Sequence, residues 1–221
     1  MEQKDADIIL EAIPRIRFRS EPISGFGIND STFSVSKSID GRRFNHSAYQ
    51  AWQGMITRCY EPKFHARNET YIGCEVCEEW QRFSNFFAWW KLNHVYGYEL
   101  DKDLLIPGNK VYSPITCLYI PKSLNLFTGN SQRIRGKYPI GASFHKSTGK
   151  FIGSIRCGDR KYLYLGLFDS PHEAHLAWLS KKLHLAEAYK DICDSIHPHL
   201  FRGLISKITL MRCSDVQNDI A

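Results

Sequence analysis

Apolar residues recur at helical spacing in two segments that follow residue 46. The first segment begins near Ser47, and its apolar positions fall on one face of a helix. They are Ala48, Trp52, Met55, Ile56 and Cys59. The second segment follows the sequence CEVC and carries Trp80, Phe83, Phe86, Phe87 and Trp90. An aromatic stripe of this kind is typical of a hydrophobic core, so we predict two packed helices here.

The next part of the chain predicts a strand, a second strand and a helix. Residues 100–105 have strand character, IPGN is a tight turn, and residues 116–120 form a returning strand. Pro121 favours the first turn of a short helix, PKSLNLF, because proline lacks the N–H group that a first turn leaves unbonded. The first strand and the helix could therefore present side chains to one site.

Three further strands and two helices are predicted towards the C-terminus. The runs IGASFHK, KFIGSIR and YLYLGLF are separated by the turn sequences STGK and CGDRK. SPHE predicts a capping box in which Ser170 caps a helix and Glu173 reaches back to it. We expect that helix to end near Tyr189, and HPHLFRGLISKITLM predicts one more amphipathic helix.

Together these elements predict an α+β fold with two domains. The predicted parts are an N-terminal arm (1–45), a first domain (46–128), a linker (129–136), a second domain (137–192), and a C-terminal helix and tail (193–221). The arm has turn residues in GFGIND and SIDGRR with a short edge strand between them. We expect little chemistry in the arm.

The composition is typical of a globular protein. The chain has 221 residues, of which 43% are hydrophobic, which is enough to bury a core in each domain. No apolar run approaches the roughly 20 residues that a membrane span needs, and the first residues lack the layout of a signal peptide. We therefore expect a cytoplasmic protein whose cysteines are reduced thiols or metal ligands.

Positive charge is concentrated in one stretch. The net charge is +6, and residues 131–165 contain eight Lys or Arg against a single acid, Asp159. A basic face of this kind suits a polyanion, because neutralising phosphates releases counterions. The alternative is an ordinary solvated surface.

Two oxygen donors in the strand–strand–helix unit suit a divalent cation. Asp101 lies on the first strand and Asn125 in the helix, and Mg²⁺ prefers oxygen ligands. A cation there would stabilise charge on a scissile phosphate while a neighbouring base deprotonates the attacking water. Spacing alone leaves the question open, because Asp at a strand end and Asn in a short helix are both common.

Four sequence blocks in order resemble phage-encoded endonucleases of the HNH type, over about residues 25–190. The blocks are Tyr49 to Tyr60 with W-x-x-M-x-x-RCY, Tyr71 to Phe86 with VCEEW-x-x-FSNF, LDKD with GNKVYSP, and RGKYPIG. The resemblance implies an HNH-like ββα-metal nuclease unit with helical support. It also implies Mg²⁺ or Mn²⁺ as cofactor, double-stranded DNA as substrate and the host-cell cytoplasm as compartment.

The resemblance assigns roles to residues of the hairpin. Asp101 and Asn125 fall on the metal-ligand positions, and Lys102 falls on the general-base position where the family has a histidine. A lysine, with a reference pKa near 10.4, keeps its proton at neutral pH unless burial or a nearby cation lowers the pKa by about three units. Lys102 could then act as base or hold a phosphate, and Asp103 is a substitute base or a further ligand. His94 is a weaker candidate.

Four cysteines could form a structural zinc site. Cys74 and Cys77 have the C-x-x-C spacing that presents two thiolates to one tetrahedral ion, and Cys59 and Cys117 would complete the set. Buried cysteines are also ordinary small hydrophobic residues, and a redox C-x-x-C pair would need a thioredoxin-type setting that is absent from the sequence. Zinc binding and apolar packing both stay open.

The segment from Tyr138 to Trp178 resembles the plant Apetala or ethylene-response-factor domain. It matches that family's GK-x-x-x-x-IR and LG-x-FD motifs, and Tyr138 and Gly141 correspond to its Y-x-G motif with one additional residue between them. Phe151 replaces a tryptophan of the family and Ser154 an acidic residue. Such domains lay a three-stranded antiparallel sheet in the major groove of DNA and pack a helix behind it. The expected DNA contacts are His145, Lys146, Lys150, Ser154, Arg156, Arg160, Lys161 and Tyr164.

These features predict a phage HNH-type homing endonuclease with a C-terminal Apetala-type DNA-binding domain. Because one HNH unit holds a single active site, we expect a monomer that nicks DNA or a homodimer that cuts both strands. A catalytically inactive relative that binds DNA as a regulator is the alternative that Lys102 favours. A third reading, a protein-interaction module, requires the basic stretch to be incidental.

Overall fold

The computed structural model describes residues 1–16, 21–129, 138–157 and 161–211. Contacts between residues divide the protein into two compact units, Met1–Lys122 and Ser123–Ala221. Both units combine helices and strands, so the chain is α+β as predicted. The described residues include no helix that is long and apolar enough to cross a membrane.

The first unit contains four helices and six short strands among its described residues. They are α1 (Gln3–Glu11), β1 (Ser36–Ile39), β2 (Arg42–Asn45), α2 (Ser47–Tyr60), α3 (Pro62–His65), β3 (Glu75–Val76), α4 (Phe83–Asn93), β4 (Tyr98–Asp101), β5 (Val111–Tyr112) and β6 (Leu118–Pro121). β1 pairs with β2 and β4 with β6 in antiparallel fashion, while β3 pairs with β5 in parallel.

An aromatic core holds the first unit together. The five apolar residues predicted on one face of α2 are all buried, which confirms that pattern. Trp80 is buried too, but it lies in a short 3₁₀ turn, and α4 begins only at Phe83. The indole N–H of Trp52 donates to the carbonyl oxygen of Trp80 at 2.7 Å, which satisfies a polar group inside this apolar core.

The N-terminal arm is more ordered than its turn residues suggested. Helix α1 buries Ala6 and Leu10, which are four residues apart, against Phe44 of β2. The carboxylate of Asp7 is buried in α1 and accepts hydrogen bonds from the Ser47 N–H at 3.0 Å and the Tyr96 hydroxyl at 3.0 Å. These bonds satisfy the buried carboxylate, so α1 is fixed to the unit.

Strand β4 is shorter than the predicted strand over residues 100–105. It ends at Asp101, whose side chain accepts hydrogen bonds from the backbone of the following turn. β6 ends at Pro121, so this proline terminates a strand and does not form the first turn of the helix. Helix α5 (Lys122–Phe127) follows at once, and the predicted order of strand, strand and helix is confirmed.

The second unit contains most of α5 and a three-stranded antiparallel sheet with helices. The strands, in the order β7-β8-β9, are β7 (Ala142–His145), β8 (Lys150–Cys157) and β9 (Lys161–Phe168). The helices that follow are α6 (Pro171–Ala186), α7 (Lys190–Ile196) and α8 (Leu200–Leu210). Most of the predicted linker, together with Arg160, lies outside the described residues.

Helix α6 begins at the predicted capping box. The Glu173 N–H donates to the Ser170 hydroxyl at 3.1 Å, and the Ser170 N–H donates to the Glu173 carboxylate at 3.1 Å. Two N–H groups that the first helical turn leaves unbonded are thereby satisfied. The helix ends at Ala186 rather than near Tyr189, and a 3₁₀ turn continues to that residue.

Two glycines allow α6 to lie close to the sheet. A Cβ atom at Gly153 would lie 3.3 Å from the carbonyl oxygen of Ala174 on α6 and 2.8 Å from the Phe168 ring. A Cβ atom at Gly141 would lie 2.2 Å from the Trp178 ring, and the φ angle of Gly141 is +87°. Any side chain at these positions would push the helix away from the sheet.

We expect Gly141→Ala to destabilise the protein by about 3–4 kcal/mol, the sum of a left-handed backbone penalty and overpacking against Trp178. Gly149→Ala is the matched control, because Gly149 also has a positive φ of +68° but has open space at its Cβ position. The control should cost about 1–2 kcal/mol. Urea titrations followed by tryptophan fluorescence would compare the two, and equal losses would contradict the close contact.

Candidate functional site

The Asp101 carboxylate caps the turn that ends β4. Its Oδ1 atom accepts hydrogen bonds from the N–H groups of Asp103, at 3.0 Å, and Leu104, at 2.6 Å. An Asp side chain that bonds to the backbone two or three residues ahead forms a local turn. The residue predicted to bind metal therefore also shapes the loop that follows it.

Lys102 points into the first unit, with a side chain that is only 9% exposed. Its ammonium group donates to the carbonyl oxygen of Asn109 at 3.2 Å and pairs with the Asp103 carboxylate at 3.1 Å. The ammonium also lies 5.6 Å from the centre of the Tyr112 ring. The Asn109 side chain completes the arrangement by donating to the Lys102 carbonyl oxygen at 2.7 Å. Lys102 thus ties the two ends of the 102–109 loop together.

The surroundings of Lys102 keep it charged. Burial favours a lower pKa, but the negative charges of Asp103 and Asp101 and the nearby Cys74 thiol outweigh it, so the Lys102 pKa is raised. A general base needs an unprotonated nitrogen near neutral pH, which requires a lowered pKa. In this arrangement the ammonium group acts as a buried cation, and it engages Asp103, the substitute base, in an ion pair.

His94 is placed in the aromatic core of the first unit. Its ring stacks on Trp90 with centroids 4.2 Å apart and meets the edge of Tyr119 at 4.9 Å. Burial lowers the pKa of His94 to about 4, so the ring is neutral at neutral pH. This placement gives His94 a packing role.

Asn125, the second predicted metal ligand, lies half-buried on α5 in the second unit. The helix is anchored there by Lys182 of α6, whose ammonium group donates to the Phe127 carbonyl oxygen at 2.6 Å. Lys182 also lies 3.5 Å from the centre of the Phe127 ring. Asn and Asp oxygens fit a hard cation chemically, but within the described residues no group of three or more His, Cys, Asp or Glu side chains is arranged to hold a metal ion.

The four cysteines of the zinc prediction belong to the aromatic core. Cys59, Cys74 and Cys117 are buried, and Cys77 is half-buried against the same residues. Burial raises the pKa of Cys59 and of Cys117 to about 12. Neutral buried thiols pack as small apolar side chains, whereas a zinc ligand must be a thiolate. Zinc binding stays a prediction.

The three-stranded sheet has one face against α6 and one open face. Directly opposed residues on antiparallel strands point to the same side, and successive residues along a strand point to opposite sides. Ile155 is buried on the helix side, which places Ser154 and Arg156 on the open side. A β-bulge at Gly153/Ser154 sets the partners of these two residues, because the β9 residue Leu165 is skipped there. Ser154 consequently lies opposite Tyr164, and Arg156 opposite Tyr162.

Most of the predicted DNA contacts lie on this open face. Arg156 and Tyr164 are exposed there. The strand pairing also places His145 and Lys150, which lie opposite each other, on this face at the other end of the sheet. Lys150 pairs with Asp169 at 2.9 Å. Of the remaining predicted contacts, Lys146 lies in the turn after β7, Lys161 lies opposite Cys157 on the helix side at the end of β9, and Arg160 is outside the described residues.

The open-face residues Tyr162 and Leu167 were not named in the sequence prediction. Tyr162 is 70% exposed, and Leu167 is 41% exposed opposite the half-buried Ile152. The two-residue spacing of Tyr162 and Tyr164 was a usable signal, because it puts both rings on one side of a strand. The resulting face combines aromatic, apolar and basic groups, a mixture that is typical of a binding surface.

We expect Lys102→Met to lower the free energy of unfolding by about 2 kcal/mol, because Asp103 and the Asn109 carbonyl would lose a charged partner. Chemical denaturation at neutral pH would measure the loss. Lys63→Met, at an exposed lysine of the same unit, should change stability by less than about 0.5 kcal/mol. If Lys102→Met is as stable as the unchanged protein, Lys102 does not stabilise the loop.

Comparisons of this chain with known proteins found no matching protein family, no matching curated protein and no matching solved structure.

Proposed function

We propose that this protein binds double-stranded DNA through the open face of its second unit. The observation that carries the proposal is the pair of cross-strand contacts on β8 and β9, in which Arg156 lies opposite Tyr162 and Ser154 opposite Tyr164. An arginine can bind guanine through two hydrogen bonds, and a serine hydroxyl can bond to either type of base. The aromatic rings provide apolar contact with thymine methyl groups.

The dimensions of the sheet suit the major groove. Neighbouring strands lie about 4.8 Å apart, so three strands span about 10 Å between the outer two. The major groove of B-DNA is about 12 Å wide. The sheet could therefore enter the groove with its open face towards the base edges, as the resemblance to Apetala-type domains implies.

Basic groups at the edges of the sheet would hold the DNA backbone. Lys146 is exposed in the turn after β7, and Lys161 is exposed at the start of β9. Lys150 is also exposed, and its ion pair with Asp169 is weak because both groups are solvated. These residues supply sequence-independent affinity, while Arg156 and Ser154 supply base recognition.

We expect Arg156→Ala to weaken binding to the recognition sequence by about 1–3 kcal/mol, roughly fivefold to 150-fold, and to relax base preference at one position. Selection from a random duplex library followed by gel-shift titration at fixed salt would measure both effects. Arg202→Ala on α8 is the matched control, because α8 packs against α6 and Arg202 is exposed. Equal weakening in both variants would contradict recognition by the open face.

A second candidate function is metal-dependent hydrolysis of DNA. The observation that favours it is the order of β4, β6 and α5, two antiparallel strands followed directly by a helix, which is the order that the sequence resemblance to HNH nucleases leads us to expect. In this proposal Asp101 and Asn125 supply oxygen ligands to Mg²⁺ or Mn²⁺, and Asp103 is the candidate base. The metal, when bound, would stabilise negative charge on the phosphate.

The positive charge of Lys102 is an argument against DNA hydrolysis. As a buried cation it cannot take a proton from water, so hydrolysis would depend on Asp103 leaving its ion pair with Lys102. A catalytically inactive relative that binds DNA and regulates or blocks other proteins needs no such change. The geometry therefore supports DNA binding more strongly than cleavage.

Incubation with supercoiled plasmid in Mg²⁺, Mn²⁺ or EDTA would test hydrolysis. The nuclease proposal expects metal-dependent nicked product, at least 100-fold reduced in Asp101→Ala and in Asn125→Ala, because each loses a metal ligand. Gel shift on the same samples is the control for binding. A shift without any cut product would overturn hydrolysis and leave the protein as a DNA-binding relative of the nucleases.

A further inference from the structure

The hairpin of β1 and β2 is a short ribbon with a rigid tip. Ile39 lies opposite Arg42, so the strands are joined by only two residues, Asp40 and Gly41. Their φ angles are +49° and +76°, as a type I′ turn requires. This turn matches the natural twist of paired strands, and the tip is therefore held in one conformation.

The base of the ribbon is fixed to the first unit. Phe44 of β2 is only 4% exposed and packs against Ala6 and Leu10 of α1. The Gln3 side chain of the same helix donates to the carbonyl oxygen of Asn45 at 2.9 Å. An anchored base and a tight turn mean that the ribbon loses little conformational freedom on binding a partner.

Basic side chains occur on both faces of the ribbon. Arg42 points to the same side as Phe44, and its guanidinium carbon lies 5.0 Å from the centre of the Phe44 ring. Lys37, directly opposite Phe44, shares that side, whereas Arg43 points to the other. All three residues are exposed.

Among the described residues, these charges have no acidic partner. Considering only the part of the chain that the structure describes, no carboxylate lies within ion-pairing distance of Lys37, Arg42 or Arg43. By contrast, the exposed cations Arg82, Lys91 and Lys190 each pair with a carboxylate. Asp40 is the single acid of the ribbon. The ribbon therefore presents a local excess of positive charge on a rigid support.

We propose that the β1/β2 ribbon is a second DNA-binding element, which contacts backbone phosphates of the same duplex through Arg42 and Arg43. The proposal rests on the DNA binding proposed above. Charge complementarity selects the partner, because unpaired arginines on opposite faces suit a ribbon that lies in a groove with a phosphate strand on each side. The major groove of B-DNA admits a two-stranded β-ribbon. In this role the ribbon attaches the protein to DNA of any base sequence.

The test is the salt dependence of duplex binding by the full chain. Each phosphate contact contributes about 0.9 to the slope of log affinity against log salt, so Arg42→Ala/Arg43→Ala should reduce the slope by about 2. Affinity at low salt should fall on the order of tenfold or more, with base preference unchanged. Hydroxyl-radical footprinting should show loss of protection at one part of the site and retention elsewhere.

Two further variants make the result specific. Arg42→Lys/Arg43→Lys keeps both charges and should keep the slope, which separates charge loss from a folding defect. Lys63→Ala/Arg67→Ala removes the same charge from exposed positions of the same unit and should leave the footprint unchanged. An equal loss in that control would overturn the proposal, because the effect would then come from net charge.

The remaining outcomes separate this proposal from the proposed function. If the protein binds duplex DNA, loses base preference in Arg156→Ala and keeps its salt slope in Arg42→Ala/Arg43→Ala, the ribbon proposal is wrong and the open face of the sheet still binds DNA. If the unchanged protein binds no duplex DNA at low salt, both proposals are wrong. The ribbon proposal is supported if the salt slope is reduced in Arg42→Ala/Arg43→Ala and unchanged in Arg42→Lys/Arg43→Lys.

Discussion

Close contact between helix α6 and the three-stranded sheet determines which surface of the second unit is available to a partner. The helix can approach because Gly141 and Gly153 place no side chain between it and the strands. Ile155 and Trp178 are buried in that contact. Because α6 covers one face, Arg156, Tyr162 and Tyr164 are exposed on the other face. The composition of the open face is thus linked to the packing on its reverse side.

The first unit uses its polar side chains differently. Asp101, Lys102 and Asn109 bond mainly to one another and to the backbone of their own loop. A histidine at the position of Lys102 could exchange a proton near neutral pH, whereas a lysine held by carboxylates stays charged. Loop stability and proton transfer make opposite demands on this residue. The ammonium group meets the first demand, so the loop is stabilised by a residue that cannot take up a proton.

Periodic patterns in the sequence predicted the secondary structure most reliably. The buried face of α2 and the capping box at Ser170 were readable because each depends on residues within a few positions of one another. Helix α1 was missed because only Ala6 and Leu10 of its apolar residues are fully buried, and they pack against a distant strand. The burial of Lys102 depends likewise on partners brought near by the fold. The spacing of residues in the sequence therefore predicts local structure, whereas the surroundings of a site depend on the tertiary fold.

The β-bulge in the sheet also fixes the chemical character of the open face. With an uninterrupted ladder from the Gly153–Gly166 pair, Leu165 and Leu163 would lie opposite Ser154 and Arg156, and both tyrosines would turn towards the helix. The extra residue reverses this arrangement, and the φ angle of +136° at Gly166 accompanies it. A register shift that removes the bulge while keeping every residue of β9 would therefore exchange a polar surface for a leucine-rich one. With Leu163 and Leu165 turned to the open side, the sheet would be prone to aggregation.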